Sequence, residues 1–189
     1  MVSHRLRRAR RGPRHGGRSA DLPFDATGLV AGAMVGTAVM TALMETAQAR
    51  RLTRLSLPYI LGTMLSERRP LIRVYGSLFH LFNGLLFASG YALVFERLKR
   101  SGPLTGAAMG GLHGVAALVG ILPIVQEVHP RMAEEDEGPD PTPMLQPPGF
   151  LALNYGIQTP AGAMVAHLVY GAIVGAMYRL DRTRPGQPR

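Results

Sequence analysis

The sequence predicts an all-α protein, an integral membrane four-helix bundle, on three observations. Four uncharged apolar stretches divide the chain, at 28–44, 74–95, 104–125 and 161–178. They run to 17–22 residues each, and a hydrocarbon core about 30 Å thick needs about 20 residues of helix. No period-2 alternation runs through them, so helices rather than barrel strands must satisfy the backbone in lipid. Basic residues crowd the ends of the stretches, as flanks of membrane spans do.

The chain of 189 residues has no cysteine and a formal charge of +9. Disulfides, zinc ribbons and thiolate-held iron–sulfur clusters are thereby excluded. The charge is read as orientation and contact with anionic lipid headgroups. Nucleic acid is not expected, because the basic tail lacks interleaved aromatics. The division is a disordered basic cytoplasmic tail at 1–27, a four-span domain at 28–180, and a second tail at 181–189. Fourteen of the 21 Lys and Arg residues fall in the first tail, the 97–100 loop and the C-terminal stretch from Arg179 onward. That places both termini in the cytoplasm of a cell whose inner membrane holds the protein.

The first span, about 28–49, carries Gly28, Gly32 and Gly36 at fourfold spacing. Such spacing bares one helix face to a close neighbour. Ala47, Gln48 and Ala49 also fit a signal-peptide cleavage pattern, but the apolar run exceeds the usual length and Glu45 precedes the site. Residues 55–66 form an uncharged run too short to span, expected in the interface or re-entering partway. The second span, about 74–95, has Gly76, His80 and Gly84 at the same spacing, with Tyr91 eleven residues past the histidine. The third, about 104–125, repeats the glycine stripe at Gly106, Gly110 and Gly114, and Pro123 hints at a break near its end. The loop after it turns acidic at Glu134, Glu135, Asp136 and Glu137, a solvated run. The fourth, about 161–178, brings His167, Gly171 and Gly175, with Tyr178 again eleven past the histidine. These matches predict a duplicated helix hairpin with a parallel pseudo-twofold repeat.

Ionisable groups inside spans are costly and usually face the bundle interior. His80, His167, Glu45 and His113 are therefore the candidate ligand-binding residues. His80, His167, Glu45, His129 and Glu127 carry donors that suit a divalent transition metal in the outer half of the bundle. His80 and His167, both about 9 Å deep by residue count, could instead ligate a haem from two helices, with Arg73 near a propionate. A relay of protons or a transported cation is the third possibility. The plainer account is packing: a membrane histidine often only hydrogen-bonds a neighbouring helix, for about 1 kcal/mol. That account suits His113 beside Gly114, and His129 before Pro130 reads as a helix-ending residue. Thr37 and Thr41 are expected to bond their own helix. Met34, Met40 and Met44 suit packing.

The stretch 32–130 resembles small, uncharacterised multi-pass membrane proteins of bacteria. The likeness rests on the Gly-rich first span with Met40 and Thr41, Leu61 and Gly62 in the loop, His80 with Gly84, and a Gly-rich third span. It implies a bacterial membrane location and carries no activity or site. No phosphate loop, metalloprotease or nucleophile-elbow motif is present. The expectation is a non-enzymatic protein binding a metal, haem, small ligand or membrane partner subunit, a second copy included. A small transporter or proton-coupled carrier is the alternative.

Overall fold

The computed structural model describes residues 24–132 and 145–180. Most of the basic tail, the acidic run and the 181–189 tail lie outside the described residues. Every regular element described is helical.

Helix α1 is Ala26–Ala49, α2 Leu57–Leu65, α3 Arg69–Leu98, α4 Pro103–Ala116, α5 Leu122–Val128 and α6 Thr159–Met177. A π-helical turn, Ala117–Ile121, joins α4 to α5, and a short 3-10 segment, Phe150–Tyr155, precedes α6. Four helices are long and apolar enough to cross a membrane: α1, α3, α6 and the continuous run from Pro103 to Val128.

Local chemistry accounts for the starts. Asp25 caps α1 by accepting from the Gly28 N–H at 2.9 Å, and its other oxygen accepts from the Arg179 N–H at 2.9 Å. One carboxylate thus ties the start of α1 to the end of α6. Ser56 caps α2, and α2, α3, α4 and α6 each carry a proline in the first turn, where no N–H partner is lost. Helix α3 begins at Arg69 and runs to Leu98, past both ends of the 74–95 stretch. Arg69 and Arg73 are exposed, so long basic side chains at a helix end do not stop the helix. His80 lies eleven residues into its helix, about 16 Å, and His167 eight residues in, about 12 Å.

The spans pack in the order α3, α1, α6, α4, with α2 seated on α3. Helix α6 is the centre, and glycine faces lie against it on both sides. A Cβ on Gly32 would lie 3.1 Å from Val174 Cα, and one on Gly36 2.9 Å from the Tyr170 ring. On the other side, a Cβ on Gly106 would come within 2.9 Å of Gly175 Cα, and one on Gly110 would run into the His167 carbonyl. The seating of α2 is as close, with Gly76 against the Pro58 carbonyl and Gly62 against the Ile72 carbonyl.

The fourth seam differs. Helices α3 and α4 are joined by side chains with almost no backbone approach. Two equivalent hairpins would pair α4 with α3 as α1 pairs with α6. The packing does not repeat in that way. At the end carrying the termini the seam is filled by Tyr91, Phe95, Tyr170 and Tyr178. Toward the α2 end it stays open.

Candidate functional site

The open part of the seam is a cavity of about 140 Å³. Its wall includes Thr37, Met40 and Met44 from α1, Leu57 and Leu61 from α2, and Asn83 and Phe87 from α3. Leu118, Ile121 and Leu122 close it on the π turn and α5. His80, His113 and His167, from three different spans, all line it.

Helix register explains the convergence. His80 sits between Gly76 and Gly84 on the buried face of α3, and His167 between Ala163 and Gly171 on that of α6. The small neighbours one turn away leave each ring room. His113, one residue before the buried Gly114, stands on the edge of its glycine face, half-buried. The His113 and His167 ring centres are 4.7 Å apart, edge to face. Phe87 covers His113 at 4.0 Å, and the Tyr91 hydroxyl meets His113 Nδ1 at 3.2 Å. His113 is therefore part of the same cluster.

Hydrogen bonding settles part of the chemistry. His167 Nδ1 donates to the Ala163 carbonyl at 2.8 Å, so in the neutral ring Nε2 carries the free lone pair. Tyr170, 1 % exposed, donates to the Gly84 carbonyl at 2.5 Å. Among the described residues His80 Nδ1 and Thr37 Oγ1 have no partner, although the two residues are only 6 % and 2 % exposed. An unpaired buried polar atom costs roughly 1–3 kcal/mol. The expectation for the threonines is thus half corrected. Thr41 bonds its own helix, to the Thr37 carbonyl at 2.8 Å, whereas Thr37 is pressed between α1 and Gly84 of α3.

The five-residue metal set does not assemble. Among the described residues no three His, Asp or Glu side chains are placed to hold one metal ion. His129 uses both ring nitrogens elsewhere: Nε2 donates to the Ile60 carbonyl at 3.0 Å, and Nδ1 accepts from the Arg131 N–H at 3.1 Å. Glu127 is exposed, and Glu45 is exposed on the cavity rim beside Gln48. The volume bears on haem. Cavities of this size take a single benzene ring, far short of a tetrapyrrole.

The α2 end is clasped. His129 holds α2 from the end of α5, Arg131 donates to the Thr63 carbonyl, and Arg131 pairs with Glu67 at 3.0 Å. Thr53 and Thr159 share a buried hydrogen bond of 2.7 Å. Tyr155 donates to the Gln146 carbonyl at 2.6 Å. Burial raises the pKa of its hydroxyl, with Arg54 opposing, so it remains a donor at neutral pH.

Sequence reasoning had no hold on Tyr170, Asn83 or Phe87. Tyr170 was the most accessible of them, since i+3 from His167 places it on the same helix face. Comparison with family models, with curated proteins and with solved structures finds no match to this chain.

Proposed function

We propose that this is a multi-pass protein of the bacterial inner membrane, with both termini cytoplasmic, that binds a small ligand inside the outer half of its bundle. The observation that carries the reading is the meeting of His80, His113 and His167 on one cavity, with His80 Nδ1 and Thr37 Oγ1 left without partners. Packing histidines normally end with their hydrogen bonds made. Here both residues with unmet bonds line the cavity. An ancestral hairpin duplication accounts for the matching His–Gly–Tyr spacings, with the α3–α4 seam having since diverged around the cavity. A hydrogen-bonding organic ligand suits the geometry better than a metal, since among the described residues no three His, Asp or Glu side chains are placed to hold one ion.

The test is an absorption spectrum, elemental analysis and extraction of bound organics on protein purified from its native host. The reading expects an extractable organic ligand whose occupancy falls in H80A. A protein without any bound species, whose three histidine-to-alanine variants lose equal, mild stability, overturns it.

A second reading, a small carrier, is favoured by one feature. The third span breaks its α-helical hydrogen bonding at Ala117–Ile121, on the cavity wall and just before Pro123. π turns are frequent at functional sites, and broken spans mark transport pathways. Ligand-dependent counterflow in proteoliposomes distinguishes a carrier from a static binder.

A further inference from the structure

We propose that the ligand is a membrane-dissolved amphiphile with a neutral, oxygen-bearing six-membered ring and an apolar tail, of the isoprenoid quinone or quinol class. It enters sideways from the lipid through the α3–α4 seam. The inference rests on the reading that the cavity binds an organic molecule, and it names the class of that molecule and its route.

Four features of the cavity carry it. The first is size, since about 140 Å³ suits a single six-membered ring. The second is the floor. Phe87, His113, His167 and Tyr170 present flat rings, which favour a planar π system over a bent acyl chain. The third is polarity. No Asp, Glu, Lys or Arg reaches the floor, and Glu45 stands only at the rim, so a charged head would be unpaired in a site that penalises it. A ring oxygen, in contrast, meets the needs of the groups present. A carbonyl oxygen accepts from the Thr37 hydroxyl or a ring N–H, and a phenolic hydroxyl donates to an imidazole lone pair.

The fourth feature is the exit. Side chains of α2, Arg131 and His129 clasp the loop end. The seam between α3 and the third span has almost no backbone approach to close it. Ile121 lines the cavity and is also 37 % exposed on the surface. Phe82 and Leu86 on α3, and Val119 and Ile124 on the third span, are exposed as well. A tail leaving the ring at this point would lie against apolar side chains and in lipid.

The experiment uses the full chain in lipid nanodiscs and three probes: a decyl-substituted benzoquinone, phenol as ring without tail, and dodecanol as tail without ring. Binding is read by retention through gel filtration for every variant, and by tyrosine emission for the parent chain and the variants that keep it free of tryptophan. The expected result is saturable binding of the tailed quinone at one per chain, with phenol weaker and dodecanol weaker still. H80A and T37V should each weaken quinone binding about tenfold with Tm unchanged. Ile121→Trp should slow or weaken the tailed quinone about tenfold and leave phenol unaffected, whereas Ile121→Ala should leave both intact.

Dodecanol binding as tightly as the quinone overturns ring recognition. Equal loss of phenol and quinone in Ile121→Trp overturns the lateral route. Phenol binding without any quinone binding sinks the proposed class while leaving the cavity reading standing. No binding by any probe, with the folded chain confirmed by Tm, counts against the cavity reading itself.

Discussion

The α4–α6 interface and the α3–α4 seam share helix α4, yet one is the tightest contact in the protein and the other is a hole. At the tight interface, small residues face small residues. Gly106 lies against Gly171 and Gly175, and the backbones meet. With no hydrophobic drive between helices in lipid, this close van der Waals contact is what holds them together. At the seam, His113 on α4 faces Phe87 and Tyr91 on α3. Their rings hold the backbones apart, and below Tyr91 further aromatics fill the gap. Above it nothing does. A glycine stripe therefore makes a contact only where its partner face is also bare, and bulky side chains propped against each other leave space beyond their reach.

Substitutions can break or sharpen this contrast. The largest effect should come from the tight interface. Gly110→Val places a side chain into the α6 backbone at His167, and overpacking of this kind costs about 3 kcal/mol or more. Thermal unfolding in detergent should show a clear loss of Tm, and a Tm within a degree of the parent would contradict the described packing.

Next in size is Tyr170→Phe, which removes the hydrogen bond to the Gly84 carbonyl that bridges α6 to α3. Interhelical bonds in membranes average about 0.6 kcal/mol and reach about 1.7, and a loss within that range is expected for this buried bond. A double-mutant comparison with a seam residue, such as Phe87→Leu, would show whether the bridge and the ring contacts act together.

At the seam itself, stability should hardly respond. Thr37→Val deletes a buried hydroxyl without a partner, so the change is neutral or slightly stabilising, within about 1 kcal/mol. A destabilisation beyond that would mean Thr37 has a partner after all. The smallest effect is expected at Gly90, where an added Cβ meets nothing within 4 Å. Gly90→Ala should stabilise the fold through helix propensity by at most about 1 kcal/mol, read as a slight rise in Tm.

Orientation is a separate check. A reporter active only outside the membrane, fused to the C-terminus, should stay silent if the basic-residue asymmetry sets the topology. Strong activity would invert the placement of α2, Glu45 and His129.

Much of the fold is legible from local properties. Length and polarity mark the four helices, because burying a backbone in lipid depends on a run of residues and not on a neighbour. The ends are less legible: α3 outruns its apolar stretch at Arg69 because arginines tolerate a helix terminus. His80 and His167 stand out as ionisable groups within apolar runs, and the structure puts both on the cavity wall. His113 has the same signal, but its neighbour Gly114 makes plain packing the simpler expectation. The outer metal set looked plausible as residues of one type on one side. In the structure His129 spends its nitrogens on α2 and the turn after it.

The sequence by itself determined the number of spans, their approximate limits, the glycine faces and the shortlist of interior histidines. All of these are properties of one helix at a time. Only the tertiary structure decided that α6 takes both glycine stripes, that α3 and α4 stand apart, and that Thr37, Phe87 and Tyr170 join the histidines around one space. Which face meets which depends on side-chain shapes brought together from residues as far apart in the chain as Thr37 and Tyr170. A void is a property of all its walls at once, and no single span encodes it.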